Sequence, residues 1–298
     1  MASNYAKQYA KRLDKIEAKY LPKFTRAIRR QISSFISEYE KSGLQAAKMR
    51  LDGLVQGSEL NTLLKQLYKD AAIQEASYQY GELKEFKAKY KTYGFNEAWT
   101  QLIEQLFSST DVLQVVNDIT ETTKQQILNA IARGIRDGAT VDEIAAEIEG
   151  NNVSLNRARL IVRTEAVGAS NIGSMMGAMS TGIVYEKKWV TAIDHRTRGM
   201  QRTDKFSHVV LNGQKVDMGN PFNNGENIFY PGDKKASAGN ICNCRCSLAY
   251  IPKRDRNGKI MRYGELVSPT GTINRRLFEI IIGMLLGQIV NGIYEGSF

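Results

Sequence analysis

The side chains able to do chemistry crowd into one stretch: Trp189, Asp194, His195, Arg196, Arg198, His208 and the run Asn243-Cys244-Arg245-Cys246. Both histidines of the chain and all three cysteines fall inside it. A carboxylate beside an imidazole can orient the ring and raise its proton affinity, so Asp194 with a histidine is a candidate acid-base pair. Glu165, in Arg163-Thr164-Glu165, adds a second carboxylate. Glu165, Asp194 and His208 are therefore the catalytic groups of an alternative reading, an enzyme acting on nucleic acid or a nucleotide. No nucleophile accompanies them at a recognisable spacing, and the preferred reading is structural. In it Asp194 accepts hydrogen bonds from Arg196, Arg198 or backbone donors and braces a loop-rich fold. Arg163 and Glu165, two apart on a helix, do not face each other and must reach different neighbours.

Cys242, Cys244 and Cys246 alternate, and on a strand all three would share one face, about 7 Å apart from one to the next. Two of them could bind zinc with nitrogen from His208 or His195, which makes His208, Cys244 and Cys246 a candidate ligand set. The two-residue spacer usual between ligand cysteines is missing, and there is no second cysteine pair. Buried reduced thiols without a cofactor are the preferred reading, with structural zinc the alternative. The sequence holds no GxxxxGK[ST], HExxH or GxSxG motif, which removes support for ATP hydrolysis, zincin proteolysis and the common serine-hydrolase arrangement.

These residues need elements to position them. From Tyr5 to Tyr39, Tyr9, Leu13, Ile16, Tyr20, Phe24, Ile28, Ile32, Phe35 and Tyr39 recur in steps of three and four, the stripe of a long helix that Pro22 could kink or divide. Helices are also expected over 59–90, 96–107, from Val112 after the N-cap oxygens of Ser109-Thr110-Asp111, and over 155–180. Gly138 is a stop signal after Ile127, Ile131 and Ile135, and Thr140 with Glu143 forms a capping box. The 155–180 helix carries Gly168, Gly173 and Gly177, so a neighbouring backbone can approach closely; Met175, Met176 and Met179 read as core filler. After Gly182 the pattern turns to strand over 183–193, with Asn212-Gly213 as a turn signal, an irregular loop over 219–240 and a closing strand over 244–251. The fold class is α+β: a mainly helical N-terminal region followed by a small, loop-rich α/β domain. The expected division is 1–118, 119–251 and a tail, 252–298, with an apolar docking segment.

Lys and Arg total 41 against 31 Asp and Glu, a formal charge of +10, distributed as +8 over residues 1–50, −7 over 51–150 and +9 over 151–298. Lys11, Lys15, Lys19, Lys23, Arg26, Arg29 and Arg30 lie off the apolar stripe of the first helix. They form either a solvated face or a surface for DNA or an acidic protein. Three clustered cysteines do not make the distributed disulfide framework of small secreted domains, and the N-terminus shows no signal-peptide pattern. The most apolar run, 280–290, is shorter than the roughly 20 residues of a membrane span, so no stable membrane insertion is expected. As a helix it must be buried, against the helical half of the chain or against a partner.

Taken in order, Arg163-Thr164-Glu165 in a small-residue helix, Trp189, Asp194 with Arg196 and Arg198, His208, Leu211, Gly213, Phe222, Tyr230-Pro231-Gly232-Asp233 and Asn243-Cys244-Arg245-Cys246 resemble the head morphogenesis domain of tailed bacteriophages, the family of Mu F-like minor head proteins. The resemblance spans about residues 119–251. It implies a non-enzymatic virion protein, made in the host cytoplasm, that joins the prohead with the portal, capsid or scaffold proteins as partners and phage DNA as a further one. The nine residues Gly199–Ser207 between Arg198 and His208 depart from compact members and loosen any expectation of a fixed Arg-His geometry.

Overall fold

The structure is a computed structural model and describes residues 2–83, 95–107, 110–150, 153–192, 197–201, 203–264, 266–268 and 272–285. In chain order the elements are α1 (Ala2–Met49), α2 (Leu51–Leu54), α3 (Ser58–Glu82), α4 (Phe95–Phe107), α5 (Thr110–Arg136), α6 (Val141–Gly150), α7 (Val153–Met179), β1 (Tyr185–Val190), β2 (Lys215–Asp217), β3 (Phe222–Asn223), β4 (Asn227–Ile228), α8 (Ala238–Ile241), β5 (Ser247–Pro252) and α9 (Arg275–Leu285). The architecture is α+β, helical at first, with small antiparallel strands in the C-terminal part. The chain divides into two compact units: Met1–Ile16, Leu67–Ser108 and Arg163–Phe298 form one, Glu17–Gln66 and Ser109–Val162 the other.

In the second unit, the apolar stripe Tyr20, Phe24, Ile28, Ile32, Phe35 and Tyr39 is the buried face of α1. Pro22 does not divide the helix; the non-helical backbone falls at Gly43, φ 78°. Tyr20 and Phe24 are buried on either side of Pro22, while Pro22 and Ala18 are exposed. The carbonyl deprived of its donor therefore lies on the solvated side, where water can satisfy it. α5 ends two residues before Gly138, φ 70°. The capping box then starts α6: Thr140 N donates to Glu143 Oε2 (2.7 Å) and Glu143 N to Thr140 Oγ1 (3.3 Å). Ile127, Ile131, Ile144, Ala145 and Ile148 are buried, whereas Ile135 is exposed.

In the first unit, the latter parts of α3 and α7 pack at close range. Ala72 and Ala76 lie directly over Gly173 and Gly177. Met175, Met176 and Met179 are fully buried, as core filler should be. A three-stranded antiparallel sheet runs in the order β2-β1-β5, with Trp189 opposite Leu248 and Lys187 between Val216 and Tyr250. A hairpin, β3-β4, sits within the stretch expected to be irregular. The apolar C-terminal segment packs inside the chain over its described part: α9 lies against α4 and buries Leu277, Phe278, Ile281, Ile282 and Leu285. Residues 286–290 lie outside the described residues, as does Ser109.

Ahead of the Asn212-Gly213 turn signal, Val209-Val210-Leu211 is itself turn: Asn212 N donates back to Val209 O (3.1 Å), and both valines are exposed. The closing strand starts at Ser247, not Cys244, because Asn243 adopts a left-handed backbone, φ 54°, which breaks the extended run. The strand geometry that would have put three cysteines on one face is therefore absent.

Lys187 on β1 is fully buried, its Nζ donating to Phe229 O (2.7 Å) between the rings of Phe222 and Phe229. Burial pushes its ammonium down to about 7, against a weaker pull from Asp233. An unfolded lysine titrates near 10.4. Between about pH 7 and 10 the unfolded chain holds a proton that the folded chain has released, so stability should rise with pH, by up to about 1.4 kcal/mol per unit, and fall toward neutrality. Urea unfolding of wild type and Lys187→Met at pH 7.5 to 9.5 (roughly the interval between the two titrations) should show the rise in wild type alone. Parallel pH profiles would mean that the ammonium stays hydrated.

Candidate functional site

The site is built on β1, the loop after it, α8 and the turn that leads into β5. Trp189, at the end of β1, is buried and packs edge-on against His208 (centroids 5.5 Å, 76°) and Phe222 (5.1 Å, 78°). The loop Gly199–Ser207 is closed by Asp204, whose Oδ2 accepts from Gly199 N (2.7 Å) and Gln201 N (3.3 Å). His208 N and Val209 N then both donate to Arg198 O, at 2.9 and 3.2 Å. The insertion thus leaves residues 198 and 208 in contact, and their backbone geometry is fixed despite the nine residues between them. Arg198 also donates from its guanidinium to Cys242 O.

Cys244 and Cys246 converge on His208. Nδ1 of the imidazole lies 3.6 Å from Cys244 Sγ and 3.4 Å from Cys246 Sγ, and all three residues are buried. Cys242, at the C-terminus of α8, is half-buried and stands apart from this group. A small cavity of about 10 Å³ adjoins the cluster, lined by Ala192, Thr197, Arg198, Asn243 and Arg245 together with the three ligand-type residues. The Cys244 thiol is held well below its usual range, chiefly by a hydrogen bond from the Cys246 thiol, against the effect of burial. Burial pushes Cys246 well up, and the Cys244 sulfur adds to this.

The other face of His208 is held by groups the sequence analysis did not single out. Nε2 lies 3.1 Å from Asn240 Oδ1, and Asn240 Nδ2 donates to Glu226 Oε2 (2.6 Å). Glu226 in turn accepts from Ser237 N and Oγ, and Asn224 Nδ2 donates to Asn240 Oδ1. A carboxylate only accepts, so the Asn240 amide must turn its nitrogen to Glu226 and its oxygen to the histidine. Glu226 and Asn240 come from loop and short-helix positions without periodicity, so no sequence pattern marks them.

Glu165 does not join His208. It accepts from Tyr68 and Lys234, whose Nζ also bonds to Tyr68 Oη (2.9 Å). This closed ion-pair cluster ties α7 to α3 and to the loop after β4. Neighbouring Thr164 Oγ1 accepts from Asn243 N (3.1 Å) and anchors the left-handed turn, and Arg163 is half-buried on the same helix. Gly213, φ 86°, donates its N–H to Trp189 O (2.9 Å). The Tyr230-Pro231-Gly232-Asp233 loop lies against α7, where a Cβ on Gly168 would come within 2.8 Å of Gly232 O. Asn171, fully buried on α7, was also not singled out; its Nδ2 reaches Tyr9 Oη, Val167 O, Pro231 O and Cys246 O. An asparagine in a run of small apolar residues was the available signal. Asp194, His195 and Arg196 lie outside the described residues.

Of the basic arm, Lys11 and Lys15 in the first unit are exposed. In the second unit Lys19, Arg26 and Arg29 are exposed, Lys23 is half-buried, and Arg30 pairs with Glu59. At 100° per residue these five side chains of the second unit fall within an arc of about 120°.

A helical region leading into a small sheet with a loop-borne Trp-His-Cys cluster defines an α+β domain braced from many directions. Residues 125–249 match the family model for phage Mu protein F like protein, within the span of the resemblance above. The chain thus carries a domain of the phage Mu F-like head morphogenesis family. No curated protein and no solved structure matches the chain. Among the described residues no helix is long and apolar enough to cross a membrane.

Proposed function

We propose that this protein is a minor head protein of a tailed phage, built into the prohead during assembly in the host cytoplasm and retained in the virion. The observation that carries this reading is the family match over residues 125–249. Portal, capsid or scaffold proteins are its proposed partners, with phage DNA the proposed ligand of the basic face of α1. The chemistry of the described site suits a scaffold. Glu165 is consumed by Tyr68 and Lys234, and His208 by two sulfurs and an amide, so neither presents a free acid-base group to a substrate.

Phosphate contacts release counterions, and each costs about 0.9 in the slope of log affinity against log salt. Lys23, Arg26 and Arg29 together should supply a slope of about −2.7 for duplex DNA. Titrations at several salt concentrations should show that slope reduced in the triple glutamine variant. A wild-type affinity flat across moderate salt would leave the basic face to an acidic protein partner. Detection of the protein in purified proheads and mature virions tests the larger reading, which fails if either particle lacks it.

A further inference from the structure

The His208-Cys244-Cys246 cluster has the geometry of a metal site. Tetrahedral zinc with bonds of about 2.3 Å to sulfur and 2.05 Å to nitrogen sets each nitrogen-sulfur edge near 3.6 Å. The two edges in the structure are 3.4 and 3.6 Å. All three donor atoms lie within 4.8 Å of one another.

The orientation of the imidazole is an independent observation. Since Glu226 forces the oxygen of Asn240 toward His208, Nε2 carries the proton and donates it to Asn240, leaving the Nδ1 lone pair aimed at the sulfurs. A carboxylate, an amide and an imidazole in series are the outer support that fixes the tautomer of a metal-bound histidine. The charges also balance: two thiolates and a divalent cation sum to zero, the condition for burying them together. The cavity, about 10 Å³, gives room for one solvent-sized atom beside the ligands.

The geometry points to a zinc ion bound by His208 Nδ1, Cys244 Sγ and Cys246 Sγ, with a solvent oxygen in the fourth position facing the cavity. This holds whatever the protein's role in the phage head. Full-length protein, purified without chelator and exchanged into metal-free buffer, should retain one equivalent of zinc by elemental analysis. Cobalt exchanged for zinc should give the thiolate charge-transfer and intense d-d absorption of a tetrahedral sulfur-ligated centre. Cys244→Ser, Cys246→Ser and His208→Asn should each lower retained zinc at least tenfold, while Cys242→Ser keeps it. The cobalt spectrum and the Cys242→Ser control do not depend on the ligand variants folding. Zinc-free wild type with all cysteines reduced, a Cys244-Cys246 disulfide in fresh protein, or cobalt absorption without thiolate bands would each overturn the assignment.

Discussion

Gly173→Ala and Gly177→Ala should each destabilise the protein by about 2 kcal/mol or more, although alanine is the better helix former by about 1 kcal/mol. Both glycines lie within α7 and face the backbone of α3. A Cβ on Gly173 would overlap the Ala72 carbonyl and lie 2.6 Å from Ala72 Cα; one on Gly177 would overlap the Ala76 carbonyl and lie 2.9 Å from Ala76 Cα. The obstacle is main chain on a packed helix, not the far end of a flexible side chain, so it cannot rotate away. Four-residue spacing on both helices repeats the contact one turn later, and the doubly substituted protein should not fold. Gly81→Ala is the control, since it is also helical but has nothing within 4 Å of its Cβ, and it should be neutral or slightly stabilising. Thermal and urea unfolding of the three single variants decides the matter. Gly173→Ala as stable as Gly81→Ala would mean that the two helices are not in contact there.

The close approach was legible because small residues at a four-residue repeat on an apolar helix have few other uses. The α1 stripe and the Thr140-Glu143 box were legible for a similar reason: each is a local pattern with one physical meaning. Where the sequence misled, two meanings competed. Pro22 removes a backbone donor, but Tyr20 and Phe24 hold the helix by burial, which local propensity does not include. Alternating cysteines mimic a strand, yet Asn243 turns the chain and sends Cys244 and Cys246 to His208. The support of His208 was not legible at all. Asn240 and Glu226 stand 32 and 18 positions from it and meet it only through the folded loops, so their types carried no signal before the fold was known.

Arg12 shows how a cation in a basic segment can belong to the core, and its removal should cost about 3–5 kcal/mol, the range for breaking a buried pair. Its neighbours Lys11 and Lys15 are exposed, but Arg12 points inward. Nε and Nη2 donate to Glu75 Oε2 and Oε1, both at 2.7 Å, and the guanidinium stacks on Tyr78, 3.4 Å from the ring centroid. Glu75 is only 1% exposed; burial pushes its carboxyl up and Arg12 opposes this. Arg12→Leu leaves the carboxylate buried and unpaired, so the carboxyl should take up a proton instead. Its folded titration then lies further above the unfolded one, and the stability it retains is present at low pH and lost as pH rises. The variant should consequently unfold at lower urea than wild type, by a margin that widens from about pH 5 to pH 8 as an unpaired buried carboxylate requires. Adding Glu75→Leu removes the stranded charge and should recover much of the loss and erase the pH dependence. Lys11→Gln, one residue away, should change stability by less than about 0.5 kcal/mol. If Arg12→Leu and Lys11→Gln unfold together at every pH, Arg12 is a solvated cation like its neighbours and the pair with Glu75 contributes nothing to the fold.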